Sequence, residues 1–67
     1  MSVAKVIEIS SSSPESFEHA IRSGIQRAST TLEGIKGVWI KEQHAVVDNG
    51  RISEFRVNMM VTFVLSA

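Results

Sequence analysis

The run Asp48-Asn49-Gly50 stands between two stretches in which apolar and polar residues alternate. Asn and Gly tolerate positive φ, which is the geometry of a tight turn joining antiparallel strands. The chain is thereby committed to a β-hairpin, with one strand near Gly37 to Val47 and the other near Ile52 to Leu65. In the second strand Phe55, Val57, Met59, Val61, Phe63 and Leu65 share one face, and Glu54, Arg56, Asn58, Met60, Thr62 and Val64 share the other. A hairpin alone is at best marginally stable in water, so its apolar face needs a cover.

The cover lies upstream. Phe17, Ala20, Ile21, Gly24, Ile25, Ala28 and Leu32 recur at spacings of three and four and form the apolar stripe of a helix near Pro14 to Leu32. Ser13 is the expected N-cap, with Pro14 at the first helical position, and Gly34 is the expected left-handed stop. Gly24 costs the helix about 1 kcal/mol relative to alanine, a cost usually offset by close backbone packing. Before the helix, Val3 to Ile9 reads as a strand rich in β-branched residues, followed by a loop at Ser10-Ser11-Ser12-Ser13. The class is α+β with order β-α-β-β. The expected sheet has three antiparallel strands in the order 2-3-1, packed on one helix within a single domain over 1–67.

A chain of 67 residues builds only a small core, and small domains usually add disulfides, a metal or subunit contacts. There is no cysteine, and the two histidines, His19 and His44, lack ligand-like spacing. A homo-oligomer is therefore expected. Seven basic residues balance seven acidic ones, which leaves no electrostatic footprint for nucleic acid or an anionic membrane. No signal-like or membrane-spanning stretch is present, which makes a cytoplasmic location the expectation.

With the helix on one face, the other face of the sheet stays open. If Val38 and Ile40 point inward, then Gly37, Trp39, Lys41 and Gln43 lie on the open face beside Arg56, Asn58, Met60 and Thr62. Trp39 is the only tryptophan, and its ring needs a cover: another subunit, a planar ligand or both. Catalytic patterns are poor. The serines lack a base at useful spacing and read as caps, His19 reads as a solvated helix residue, and no phosphate loop or nucleophile elbow occurs, so an enzyme is not expected. Glu8, Glu42 and Glu54 read as strand carboxylates paired with Lys or Arg.

The chain resembles the dodecins over nearly its whole length. The likeness rests on Lys5-Val6-Ile7-Glu8-Ile9 followed by serines, and on Ser13-Pro14-Glu15-Ser16-Phe17, Ala20-Ile21, Arg27-Ala28 and Thr31-Leu32. Phe55-Arg56-Val57 and Met60-Val61-Thr62-Phe63 match the family's last strand. The resemblance implies a hollow dodecamer that binds flavins, riboflavin or flavin mononucleotide, in stacked pairs between subunits and stores them without catalysis. Counted from Arg27-Ala28, the family's stacking tryptophan corresponds to Gly37, its pocket glutamine to Arg56, and an acidic residue at the pocket base to Glu42. Trp39 stands two residues past the family's position. Such a shift keeps the ring on the same face but moves it about 6.6 Å along the strand. The expected site is thus a displaced one, in which Trp39 stacks, Gly37 leaves room and Arg56 fixes the polar edge. The alternative implied by the family is a flavin-free structural or ion-binding shell of the calcium type, with Glu8, Glu42, Asp48 and Glu54 as oxygen ligands.

Overall fold

The structure, a computed structural model, describes residues 3–65; residues 1, 2, 66 and 67 of the expected domain lie outside the described residues. Strand β1 (Val3–Ser13) leads to helix α1 (Phe17–Ser29), then strands β2 (Ile35–Asp48) and β3 (Arg51–Leu65). The sheet is antiparallel in the order β1-β3-β2, which is the expected order read from the opposite edge. The hairpin turn forms where Asn49-Gly50 places it, with φ of 54° at Asn49 and 79° at Gly50.

The helix packs on β1 and β3. Val57, Met59 and Val61 of β3 and Ala20 of α1 are fully buried, with Ile9, Phe17, Ile21 and Val38 packed around them. Phe17 meets Phe55 edge to face with ring centroids 5.0 Å apart, the favoured aromatic geometry. Gly24 is buried where α1 packs directly against the sheet. A Cβ there would collide with the Met59 methyl and lie 3.0 Å from the Ser11 Cβ. The expected close approach at Gly24 is therefore present.

Three boundaries differ from the sequence reading. The serines are strand, not loop: β1 continues to Ser13, which pairs with Phe55. The long β3 offers ladder partners that far, and tertiary pairing overrides the weak local preference of serine. Ser13 is thus committed to the sheet, so the N-cap is Ser16, whose side chain accepts the His19 backbone N–H at 2.9 Å, and Pro14 precedes the helix. At the other end α1 stops at Ser29 and not near Leu32. The Thr30 and Thr31 hydroxyls bond back to the carbonyls of Arg27 and Ala28 and close the last turn. Gly34 takes positive φ, 76°, but in the connection beyond this stop, where its carbonyl accepts the Val64 N–H at 3.1 Å.

The two ladders of β3 are unlike. Pairing with β1 is continuous from Val3↔Leu65 to Ser13↔Phe55. Pairing with β2 is interrupted between Ile35 and Gly37, between Ile40 and Glu42, and between Val46 and Val47. Such bulges bend a strand and re-aim its side chains.

Candidate functional site

The register turns the open face into rows of side chains running across the sheet. Val6, Thr62 and Gly37 make one row; Glu8, Met60 and Trp39 the next; then Ser10, Asn58 and Glu42; then Ser12, Arg56 and His44. Along β3, neighbouring rows are two residues, or about 6.6 Å, apart.

The bulge at Lys41 decides who belongs to this face. Ile40 pairs with Met59 and Glu42 with Asn58, so two steps on β2 match one on β3. Trp39 and Glu42 consequently share the open face although strict alternation would separate them. The expected placement of Gln43 is corrected for the same reason: it pairs with Val57 on the helix side, and His44 takes the open side opposite Arg56. Lys41, the extra residue, reaches across the sheet to β1, where its Nζ donates to Glu8 Oε1 at 3.2 Å. A signal for the bulge was present in the sequence. The inward apolar positions are even at Val38 and Ile40 but odd at Ala45, so one residue must fall out of step between them.

Trp39 is 52% exposed, beside the half-buried Met60. Next to it, a Cβ built on Gly37 would meet nothing within 4 Å, so the floor of the adjoining row is low. The exposed indole and this gap in the adjoining row make a step on the open face. Glu42 accepts a hydrogen bond from Asn58 Nδ2 at 2.7 Å. Asn58 was not singled out by the sequence; only the bulged register brings it to Glu42. Arg56 stands two rows from Trp39, where its guanidinium donates to Glu54 Oε2 at 3.2 Å. Hydrogen bonding from Ser12 and then from Arg56 holds the Glu54 carboxyl below the usual carboxylate range.

The carboxylates of this face suit calcium poorly within one subunit. Glu8 is paired with Lys41 and Glu54 with Arg56, and no group of three or more His, Cys, Asp or Glu among the described residues is gathered to hold a metal ion. Oxygen ligands for a hard cation would have to come from more than one chain.

A second polar group sits at the start of α1. The Glu15 N–H donates to Ser13 Oγ at 3.0 Å, Ser13 Oγ lies 2.7 Å from His19 Nδ1, and His19 Nε2 lies 2.9 Å from Glu15 Oε2. All three contacts are satisfied with the hydroxyl donating to Nδ1 and the imidazole proton on Nε2. His19 is thus tied down and not merely solvated, and the serine has an imidazole after all. Ser13 is only 2% exposed and its oxygen already receives a backbone N–H, so the group locks the strand-to-helix junction and offers no accessible nucleophile.

The model of the Dodecin family matches residues 3–66. The chain belongs to the dodecin family. Among curated proteins it is similar to the calcium dodecin of Mycobacterium tuberculosis (strain ATCC 25618 / H37Rv), 36% identical over 63 residues that make up 94% of this chain and 89% of that one. Among solved structures it is similar to the dodecin from Streptomyces davaonensis, with a TM-score of 0.92, 35% identity, and coverage of 98% of this chain and 97% of that dodecin. It is also similar to the calcium-chelating antigen calcium dodecin of Mycobacterium tuberculosis, described with a novel calcium-binding site, with a TM-score of 0.83 and 33% identity over 96% of this chain and 91% of that one. This dodecin, among its described residues, has no helix long and apolar enough to cross a membrane.

Proposed function

We propose that this dodecin is a non-catalytic cytoplasmic protein that assembles into a hollow dodecamer and sequesters a small planar ligand, a flavin by family, between its subunits. The observation that carries this reading is Trp39: the chain's only tryptophan, half exposed on a sheet face with no second layer, beside the unfilled space at Gly37. Trp39 is the stacking platform, Gly37 leaves room for the ring, and Glu42 and Arg56 meet polar edges of the ligand, which spans from the Trp39 row toward theirs. Stacking on an indole contributes about 0.5–1.5 kcal/mol beyond area burial.

The test is a titration of assembled protein with riboflavin and flavin mononucleotide, read by flavin fluorescence. Quenching that saturates at micromolar protein, and that Trp39→Leu weakens, is the expected result. Unchanged fluorescence from correctly assembled protein would remove flavin from the reading.

The similarity to a calcium dodecin favours a second reading, a flavin-free shell that binds a divalent ion through carboxylates of neighbouring subunits. A ligand that binds only the folded state raises its stability. Calcium would then raise the thermal midpoint of the assembled protein, and a midpoint indifferent to both calcium and magnesium would count against an ion site.

A further inference from the structure

We propose that the step at Trp39 selects planar ligands that carry positive charge. The inference rests on the reading that the open face takes a planar ligand, and it concerns which ligands that face prefers.

Its basis is how charges are matched across the face. Glu8 is neutralised by Lys41 at 3.2 Å and Glu54 by Arg56 at 3.2 Å. Glu42 differs: the group bonded to it is the uncharged carboxamide of Asn58, at 2.7 Å. Among the described residues no cationic side chain stands at ion-pair distance from it, and of the carboxylates on this face so placed, Glu42 and Asp48 at the far end of β2, only Glu42 is near Trp39. It also stands in the row next to Trp39, through the Met60 and Asn58 pairings, about 6.6 Å away along β3. A tricyclic ring stacked on the indole reaches that far.

Both groups act with the same sign. The face of an indole attracts a cation through its quadrupole. An uncompensated carboxylate one row away adds a Coulomb attraction for a cation and opposes a phosphate. The Lys41 ammonium is held by Glu8 on β1, where the pair is net neutral. His44 and Arg56 lie one row beyond Glu42, on the side away from Trp39.

The experiment uses the assembled protein at low ionic strength and about pH 8, where an ordinary imidazole is neutral. Three flat tricyclic probes are compared: proflavine (cationic), riboflavin (uncharged) and flavin mononucleotide (anionic). Binding is read from the probes' own fluorescence anisotropy and from quenching of the single tryptophan. Proflavine is expected to bind on the order of tenfold more tightly than flavin mononucleotide, with riboflavin between them. Glu42→Gln keeps an oxygen for Asn58 but removes the charge, so it should abolish most of that ratio. Raising the salt concentration of wild-type protein should compress the ratio too, which tests the charge without any substitution. Equal affinities, or flavin mononucleotide binding most tightly, would overturn the charge preference while leaving the planar-ligand reading intact. Binding of none of the three would overturn both. A ratio that survives in Glu42→Gln would show that another group sets it and would overturn the role given to Glu42.

Discussion

Single atoms decide the stability of this small core. At Gly24 an added methyl would drive into the Met59 side chain and against Ser11, both on the sheet below the helix. Alanine is the better helix former by about 1 kcal/mol, but overpacking a tight core costs about 1–3 kcal/mol. Gly24→Ala is therefore expected to lower the thermal midpoint, whereas the same change on an exposed helix face would raise it. Ser13→Ala leaves the Glu15 N–H and His19 Nδ1 without their shared partner, and should cost about 1 kcal/mol in denaturant titration. Glu54 gives a pH dependence. Its carboxyl titrates lower in the fold than in the open chain, so the stability it adds is present above the ordinary carboxylate range and is lost as the pH falls through the lower native value. Glu54→Gln should flatten the acid side of a plot of thermal midpoint against pH, and an unchanged acid limb would contradict this origin of the shift.

At the scale of elements, the hairpin, the helix and the strand order were legible because each is written in a local code. Asn49-Gly50 names the turn, the spacing from Phe17 to Ala28 names the helix, and the unbroken alternation of β3 names the central strand. The helix start was not legible, because Ser13 and Ser16 are both good caps and only the pairing of Ser13 with Phe55 removes the first. Ser16→Ala is expected to cost about 1 kcal/mol in thermal or denaturant unfolding. The candidate site was half legible. Trp39 and Gly37 stand out by composition and spacing, and both lie on the open face. The partnership of Glu42 with Asn58 depends on a bulge, which is a property of two strands together and is only hinted at by the change of parity from Ile40 to Ala45.

At the scale of the molecule, the lengths do not match. The helix has 13 residues and the central strand 15. At their respective rises these span about 20 Å and about 50 Å. One helix cannot cover such a sheet: Val47, Ile52 and Leu65 near the strand ends are between 45% and 63% exposed, and Trp39, on the face opposite the helix, is 52% exposed. Beside the helix, Ile21, Ile25, Ile35, Val38 and Ile40 line an open cleft of about 480 Å³. Neighbouring subunits are the proposed cover for these surfaces. Light scattering should return the mass of a dodecamer and not of one 7.4 kDa subunit, and dilution to the point of dissociation should cost thermal stability as well.

The extra residue at Lys41 acts on the surface much as a frameshift acts on a message. Were the same residues laid in strict alternation, with Lys41 taking a place in the ladder, the distal half of β2 would lie out of phase, with Glu42 and His44 toward the helix and Gln43 on the open face. Every residue type would survive, but the open face would present a different set of side chains. By absorbing its extra residue in a bulge, β2 keeps the distal side chains matched to the same β3 partners that a strand one residue shorter would meet, while the β1 ladder, regular from end to end, holds the scaffold constant.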